Sequence, residues 1–436
     1  MNRYSSYKDS GEKWLGDIPS HWKMERWRFL LSENKEKNSS LKEKTQLQFF
    51  YGEIVEKPNQ SEDKEVLDTI KNYTVVKPGD IMINGLNLNY DFVSQRVARV
   101  KEEGVITSAY ISIRNTEIAN SKYYNYLLKA LDAKKMFHGM GTGIRLTLSY
   151  KELKNQFLPC PSLEEQQAIA SYLDSATSKI DAAIAREQKM IDLLNERKQI
   201  IINHAVTKGL NPNLKMRESG VEWISEIPVG WEILPLKSIC KLGKGLQITK
   251  ADLVEEGLPV VSYGQIHAKY NTRTHLSKNL IRYVPTSYAK GNDSCKVNSN
   301  EFVVADTSED LEGCGNMVFN DSDKKIYAGY HTVIIKSLKY DYPKYLAYLF
   351  PSQVWRKQIR SLVNGVKVYS ITQSILKRTD ILRPSADEQK AIIAYLDKKT
   401  KVIDATIKER INMIALLHER KQIIINDVVT GKIKVD

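Results

Sequence analysis

Two long stretches of the chain carry apolar residues in alternating steps of three and four. In residues 165–208 they are Ile169, Leu173, Ala176, Ile180, Ala183, Met190, Leu194 and Ile201. In residues 388–431 they include Ile392, Leu396, Ile403, Met413, Leu417 and Ile424. This spacing is typical of a helix with a coiled-coil seam. Each helix would be roughly 60 Å long at 1.5 Å per residue. Because neither could bury its stripe alone, the pattern predicts that the two helices pair.

The two stretches are copies of each other. EQQAIASYLD, from Glu165, and EQKAIIAYLD, from Glu388, open segments that agree at about 26 of 44 positions. A second repeat joins DSGEKWLGDIPSHW, from Asp9, to ESGVEWISEIPVGW, from Glu218. The intervening regions show no similarity that can be aligned. The sequence therefore predicts two recognition domains, each followed by a helix, with these bounds: 1–160, 161–210, 211–383 and 384–436.

Charged residues interrupt the apolar seam at the middle of each helix. The first copy has Arg186-Glu187, and the second has Glu409-Arg410, so the signs are exchanged. We expect Glu187 to face Arg410 in an antiparallel pair of unlike helices. The apolar contacts of that pair would come from Leu173, Ile180, Leu194, Leu396, Ile403 and Leu417. The alternative is that the charges lie on solvated flanks, worth a few tenths of a kcal/mol.

The two regions between the repeats have the same predicted order of elements. In the first, YTVVKPGDIMIN (from Tyr73) and GVITSAYISIR (from Gly104) predict strands, and SKYYNYLLKALDAKKMF (from Ser121) predicts a helix. In the second, LPVVSYGQIH, NEFVVADTSE and YAGYHTVIIK precede the helical segment PKYLAYLFPSQVWRKQI. The shared order predicts one α/β fold of about 150 residues, used twice.

Composition and charge narrow the range of partners. A net charge of +13 favours a polyanion, either nucleic acid or an anionic membrane surface, although a basic surface without a partner is the alternative. No apolar run approaches the ~20 residues of a membrane span. The start MNRYSSYKDSGEKW lacks an apolar segment, so we expect a cytoplasmic protein. Cys160, Cys240, Cys295 and Cys314 have no CxxC spacing, which predicts reduced thiols and no zinc site.

Polar clusters in the variable regions supply candidate DNA contacts, because amide and cationic side chains pair with base edges and phosphates. The candidates are Asn84, Asn87, Asn89, Gln95 and Arg96 in the first region, and Lys244, Gln247, Lys250, Tyr263, Gln265, His267 and Lys269 in the second. Both regions also end with a glycine followed two positions later by a base, giving Arg145 and Lys367. A simple turn with an exposed cation is the alternative for this last pattern, and a surface or hydrogen-bonded histidine is the alternative for His267.

No motif predicts catalysis, a cofactor or a metal. The glycine-rich stretch HGMGTG follows a helix, whereas a nucleotide-binding loop follows a strand. The acidic stretch ADTSEDLEG has no counterpart in the other region, and a solvated loop is favoured over one that accepts a hydrogen bond from cytosine. Neither a Pro-Pro-aromatic methyltransferase motif nor a Walker A loop is present, so methylation and ATP use would require partners.

The W-[LI]-x-x-IP-x-x-W motif and the EQxxI…YLD…ID…LLxERKQIIIN helix, in duplicate, resemble the specificity subunit of type I restriction–modification enzymes. The resemblance covers essentially the whole chain. It implies two α/β target-recognition domains, joined by an antiparallel coiled coil with pseudo-two-fold symmetry. Each domain would bind one half of a bipartite, asymmetric site in double-stranded DNA, and the helices would set the gap. Two methyltransferase subunits and, for cleavage, motor–nuclease subunits would assemble on this non-catalytic chain, and the helix faces near Lys198 and Lys421 are candidate docking surfaces.

Two other classes of protein stay open. An enzyme acting alone on nucleic acid would need a catalytic constellation, and cleavage or methylation by the purified chain would favour it. A coiled-coil scaffold whose variable domains bind proteins would explain the helices but not the basic charge or the polar loops. Recovery of a methyltransferase encoded next to this gene would distinguish the specificity subunit from the scaffold.

Overall fold

The chain divides into two compact units. A computed structural model describes residues 2–61, 63–143, 146–337, 340–365 and 367–435. The first unit contains Met1–Gln188 and Ile411–Asp436, and the second contains Lys189–Arg410. Each unit therefore combines one variable region with parts of both long helices. Arg145, one of the predicted DNA contacts, lies outside the described residues.

The first variable region consists of short strands and one amphipathic helix that precedes the long helix. The strands are β1 (Tyr7–Asp9), β2 (Asp17–Pro19), β3 (Lys23–Arg26), β4 (Leu31–Glu33), β5 (Leu47–Phe50), β6 (Glu53–Glu56), β7 (Thr74–Val76), β8 (Ile81–Ile83), β9 (Val97–Arg99), β10 (Gly104–Ile106), β11 (Ile111–Asn115) and β12 (Phe157–Cys160). The helices are α1 (Trp27–Leu30), α2 (Lys64–Ile70), α3 (Ser121–Ala133), α4 (Tyr150–Leu153) and the long α5 (Leu163–Lys208).

The central sheet of the first unit is antiparallel, in the order β4-β11-β8-β9. Strand β8 is apolar throughout because both of its faces are covered. Ile81 and Ile83 share a core with Tyr123 of α3, whereas Met82 points to the opposite face and packs with Leu47. Alternation of side chains along a strand produces this division between two cores.

The second variable region has a similar set of elements. Its strands are β13 (Met216–Val221), β14 (Ile224–Pro228), β15 (Glu232–Pro235), β16 (Cys240–Lys244), β17 (Leu258–Val261), β18 (Arg282–Val284), β19 (Lys296–Val297), β20 (Phe302–Ala305), β21 (Thr307–Ser308), β22 (Met317–Phe319), β23 (Ile326–Ala328), β24 (Thr332–Ser337), β25 (Tyr369–Ser370) and β26 (Asp380–Arg383). Its helices are α6 (Leu236–Ile239), α7 (Tyr263–Ile266), α8 (Pro343–Leu349), α9 (Gln353–Arg360), α10 (Gln373–Lys377) and the long α11 (Ala386–Val429), which continues into the first unit.

The central sheet of the second unit repeats the first, in the antiparallel order β16-β24-β20-β22. Phe302 packs in one core with Trp355 of α9, and Val303 faces a different core with Val261. A second four-stranded sheet, β18-β17-β23-β19, lies behind this face and contains one parallel pair, β17 with β23. The prediction of one α/β fold used twice is confirmed for the central sheet and its covering helices.

Some predicted elements are divided in the structure. The strand predicted from Gly104 is two strands, β10 and β11, separated by a turn in which the Tyr110 amide donates to the Thr107 carbonyl. The helix predicted from Pro343 is also two, α8 and α9. Pro351 lies between them, and proline lacks the amide that a continuous helix requires.

Within each unit, the two long helices pack against each other with opposite ends together. In the first unit, Leu173 of α5 shares a core with Val428 of α11. In the second unit, Val206 near the end of α5 shares a core with Leu396 near the start of α11. The helices therefore run antiparallel in both units, as predicted. Of the predicted pairing residues, Leu173, Ile180, Leu396 and Ile403 are buried, and Leu194 and Leu417 are half-buried.

The seam differs from the prediction in the middle of each helix. Met190 and Met413 are exposed, and Ile191 and Ile414 occupy the buried and half-buried positions instead. This shift by one residue restores steps of three and four through the charged interruption, so Glu187 and Arg410 both fall on the seam. Both are half-buried. That the two face each other stays a prediction.

Candidate nucleic-acid interface

Both units present one long loop at the same place in the central sheet. The first edge loop, residues 84–96, joins β8 to β9, and the second edge loop, residues 306–316, joins β20 to β22. The polar cluster around Asn84 and the acidic stretch around Asp306 are therefore topological equivalents. The sequence could not show this relationship, because the two loops share no similarity.

The first edge loop is organised around Arg96, whose side chain is only 1% exposed. Its guanidinium nitrogens donate to the carbonyls of Leu86 (2.8 Å), Asn84 (3.1 Å), Asn87 (3.4 Å) and Asp91 (2.7 Å). Because the side chain binds backbone carbonyls inside the loop, it holds the loop in shape. That Arg96 also contacts DNA stays a prediction.

The other predicted residues of the first edge loop divide between structural and exposed positions. Asn84 accepts a hydrogen bond from the Leu86 amide (3.1 Å), and Asn89 is half-buried. Asn87 and Gln95 are exposed, and Asn87 has a left-handed backbone (φ 52°). Asparagine tolerates that conformation better than most residues. Asn87 and Gln95 are thus the polar side chains of this set that a ligand meets first.

Two exposed aromatic residues of the first edge loop were missed by the sequence analysis. Tyr90 is 76% exposed and Phe92 is 56% exposed. Phe92 stacks on His138, with 4.8 Å between ring centroids. Exposed aromatic rings beside amide side chains suit contact with bases or sugars. Their only sequence signal was an aromatic residue inside a polar loop.

A segment that follows the domain helix lies beside each edge loop. In the first unit, the Leu148 amide donates to the Gly85 carbonyl (2.9 Å). In the second, the Ile371 amide donates to the Asp306 carbonyl (2.7 Å), and β25 pairs with β21. The segment that follows each glycine-plus-base pattern thus lies next to the edge loop in both units. Lys367 of the second pattern is exposed.

The second edge loop is also organised by a buried arginine, Arg356, which comes from α9. Its side chain is 5% exposed and donates to the carbonyl of Cys314 (3.2 Å) and to Asn316 Oδ1 (3.1 Å). It also bonds the Glu312 carbonyl. Burial, together with the nearby Arg273 and Arg360, lowers the pKa of Arg356 to about 9. In both units a buried arginine therefore donates to carbonyls of the edge loop. Arg96 belongs to its own loop, whereas Arg356 comes from α9.

His267 joins α7 to the second edge loop. Its Nε2 lies 2.9 Å from the Thr307 carbonyl, and its Nδ1 lies 3.1 Å from Asn316 Nδ2. A carbonyl only accepts, so Nε2 carries the hydrogen and Nδ1 accepts from the amide. Both ring nitrogens are occupied, and this matches the alternative of a hydrogen-bonded histidine. The ring therefore ties α7 to the second edge loop, and the predicted contact of His267 with DNA stays a prediction.

The remaining candidates of the second unit differ in exposure and in contacts. Lys244, Gln247, Lys250 and Lys269 are exposed. Gln265 caps α7 by accepting from the Ser262 amide (3.2 Å). The half-buried Tyr263 packs edge-on against His267, Tyr330 and His331. Lys244 and Gln247 line a cavity of about 570 Å³ with Asp306 and His331, so the structure brings the residues from 244–250 to the same edge as the acidic loop.

The long helices carry a second apolar stripe that is exposed. Met190, Leu193 and Ile200 of α5 are between 41% and 59% exposed, and their repeat counterparts Met413, Leu416 and Ile423 of α11 are between 46% and 58% exposed. Lys198 and Lys421 do not mark this surface. Their side chains are 14% and 26% exposed and pair with Asp404 and Asp181. That partners dock near these two lysines stays a prediction.

Among the described residues, no group of three His, Cys, Asp or Glu side chains could hold a metal ion. In the described part of the chain, no helix is both long and apolar enough to span a bilayer. The four cysteines are free thiols.

The chain repeats one long helix and one central sheet, and the two copies of the sheet carry unlike edge loops. These features define a protein with two recognition domains on a shared helical scaffold. A family model described as "Type I restriction modification DNA specificity domain" matches residues 52–191 and 228–415. The match covers most of the chain, which therefore belongs to this family of type I restriction–modification specificity subunits.

Individual relatives agree with this assignment. The chain is 26% identical over 372 residues to the type I restriction enzyme MjaVIII specificity subunit of Methanocaldococcus jannaschii, covering 83% of this chain and 80% of the relative. It is 24% identical over 436 residues to the putative MjaX specificity subunit of the same organism, covering 97% and 96%. A solved structure described as "Structural basis underlying complex assembly and conformational transition of the type I R-M system" contains a chain that matches with a TM-score of 0.68 at 14% identity, covering 95% of this chain and 99% of that one. At that identity the structural match shows the fold alone.

Proposed function

We propose that the chain selects the DNA target of a type I restriction–modification complex, each edge loop and its neighbouring segment binding one half of a bipartite, asymmetric site. The observation that carries the proposal is the pair of edge loops. They occupy equivalent places on equivalent sheets, yet one presents amides and aromatic rings and the other presents carboxylates. Identical frames with unlike loops suit a site whose two halves differ in sequence.

The charge of the chain supports double-stranded DNA as the ligand. The net charge is +13, and Lys244, Lys250 and Lys269 of the second unit are exposed. Each cation that contacts a phosphate releases a counterion and steepens the dependence of affinity on salt. Binding should therefore weaken strongly as salt rises.

The reaction itself is assigned to partner subunits. The exposed stripe on α5 recurs on α11 through the same three repeat positions, so the chain offers one apolar surface twice. A duplicated surface suits two copies of one partner, which we propose are methyltransferase subunits. Motor–nuclease subunits would join when the complex cleaves DNA. The chain would supply no catalytic residue, cofactor or metal, and would act in the cytoplasm.

The test of recognition is a map of methylated adenines in host DNA with and without the gene. The proposal expects one bipartite motif to lose methylation on deletion. Reintroduction of the wild-type gene should restore the motif, and a gene carrying Asn87→Ala with Gln95→Ala should weaken only one half of it. A methylation map that is unchanged by deletion would contradict the proposal.

The test of docking is co-purification of the methyltransferase with stripe variants. Leu193→Asp with Leu416→Asp should abolish co-purification, because two carboxylates would be buried in an apolar contact. Leu193→Asp alone should retain about half of the methyltransferase. Asn195→Asp, exposed on the opposite side of α5, is the matched control and should bind like the wild type. Full binding by the double variant would place the docking surface elsewhere.

A further inference from the structure

The second unit contains a pocket of about 420 Å³ between α7 and the second edge loop. Its lining includes Tyr263, His267, Arg273, Glu309, Asp310 and Asn316. The pocket combines the half-buried Arg273 with three exposed carboxylates, those of Glu309, Asp310 and Glu312. The sequence analysis favoured a solvated loop for these acids and did not single out Arg273.

Arg273 is half-buried, and its side chain pairs with no acceptor among the described residues. Its backbone is fixed instead: the Arg273 amide donates to Asn271 Oδ1 (2.8 Å), and its carbonyl accepts from the Phe319 amide (3.1 Å). The residue has a left-handed backbone (φ 68°), an uncommon conformation for arginine. The fold thus fixes the backbone of Arg273, while its guanidinium has no hydrogen-bond acceptor among the described residues.

Two further arginines, Arg356 and Arg360, lie near Arg273 and carry the same charge. Arg356 is spent on loop carbonyls, and Arg360 pairs with Glu312 (2.7 Å). Burial, followed by the charge of Arg360, lowers the pKa of Arg273. A desolvated guanidinium surrounded by like charges gains more from an incoming acceptor than an exposed one does. The pocket therefore favours a ligand with hydrogen-bond acceptors at the position of Arg273.

The carboxylate of Glu309 on the rim favours a base edge over a phosphate as the ligand of this pocket. Glu309 is exposed and has no partner among the described residues, whereas Asp310 Oδ1 already accepts from the Gly313 amide. A carboxylate beside the cation would repel a phosphate but would accept a hydrogen bond from an amino group. In the major groove, a G·C pair presents exactly these features side by side, the guanine N7 and O6 acceptors and the cytosine N4 amino donor.

We propose that this pocket reads one G·C base pair of the target, with Arg273 donating to guanine and Glu309 accepting from the cytosine amino group. The proposal rests on the function proposed above and adds to it one base pair and the two side chains that select it. Arg356 and His267 are positioning residues in this scheme, because they hold the loop that carries Glu309.

The experiment uses the full chain in complex with its methyltransferase and a library of duplexes with randomised half-sites. Methylated molecules are sequenced, and the preference at each position is measured. For the wild type, one position of one half-site should require G·C. Arg273→Met should reduce the preference for G·C there about 5- to 150-fold, as expected for loss of a bidentate contact, and should leave the other positions unchanged. Lys278→Met removes an exposed cation of the same unit that is not a candidate DNA contact; it is the matched control and should keep the requirement.

The outcomes separate the alternatives. Glu309→Ala, an exposed substitution that should fold normally, must relax the same position as Arg273→Met; relaxation of another position, or of none, overturns the proposal. A uniform loss of methylation with a shallower salt dependence would identify Arg273 as a phosphate contact and overturn it as well. A wild-type complex that methylates with a bipartite requirement but no G·C pair at the affected position overturns this proposal alone. A wild type with no sequence requirement at all overturns the proposed function instead.

Discussion

Lys198 of α5 lies with its Nζ 2.7 and 2.8 Å from the two carboxylate oxygens of Asp404 on α11. The same contact occurs in the first unit, where Lys421 Nζ lies 2.6 and 2.7 Å from the oxygens of Asp181. The four residues are related by the internal repeat, which places Asp181 on Asp404 and Lys198 on Lys421. One bridge, duplicated with the helix, thus fixes the register of the helix pair in both units.

Removal of either aspartate should destabilise its unit by a similar small amount. Asp404→Asn leaves the mostly buried Lys198 ammonium without its partner, and we expect a cost of about 1 kcal/mol, or a shift in Tm of about 2–4 °C. Asp181→Asn is the matched substitution in the first unit and should give a similar shift. Thermal unfolding followed by circular dichroism measures both. A shift for one variant and none for the other would show that the two bridges are not equivalent.

Arg96→Met should disorder the first edge loop. The substitution removes a donor from four backbone carbonyls, of which those of Asn87 and Asp91 keep another partner, the Tyr90 amide and His138 Nε2. We expect a loss of about 3 kcal/mol in the free energy of unfolding. Methylation should then lose its requirement in one half-site. Gln95→Ala changes an exposed neighbour and should stay within about 0.5 kcal/mol of the wild type. Denaturant unfolding measures both variants, and equal stability for the two would contradict the role of Arg96.

The first edge loop should also depend on pH through Asp91. Hydrogen bonds from Ser94, backbone amide first, lower the pKa of Asp91 to about 2. The unfolded value is about 3.9. A lowered pKa means that the ionised carboxylate stabilises the folded loop above about pH 4, and that this contribution disappears as the pH falls towards about 2. The difference in unfolding free energy between wild type and Asp91→Ala should therefore shrink over that range; a difference that grew with acidification would refute the assignment.

The predicted contact between Glu187 and Arg410 can be tested by reversal of charge. Glu187→Arg or Arg410→Glu alone should each lower the Tm by several degrees, because like charges would meet on the seam. The double reversal should recover most of that loss. Arg186→Glu, at an exposed neighbouring position, controls for net charge. Equal damage from the single and double variants would show that the two residues do not face each other.

The anchoring of each domain to its helix was only partly visible in the sequence. The repeated tryptophans predicted a shared motif, and in the structure Trp22 Nε1 donates to Glu165 (3.0 Å) while Trp231 Nε1 donates to Glu388 (2.9 Å). Tyr123, in a region without detectable repetition, nevertheless finds the carbonyl of Val429 (3.0 Å), as Tyr345 finds that of Val206 (3.2 Å). A single side-chain contact can persist where the surrounding sequence has diverged, because the fold needs only the hydroxyl at that place.

The sequence alone determined the duplicated architecture, since long helices repeat their apolar spacing and copies of a motif can be aligned without coordinates. Periodicity also located most strands and helices, because burial on one face imposes it. Only the tertiary structure decided which polar residues are available to a ligand. Arg96 and His267 have side chains that suit contact with DNA, but in the structure both form their hydrogen bonds with residues of the edge loops. Arg273 was not singled out in the sequence, and the stretch that contains Glu309 was interpreted as a solvated loop, yet both residues line one pocket. Contacts between residues distant in the chain, rather than local pattern, set where a side chain lies and what it already binds.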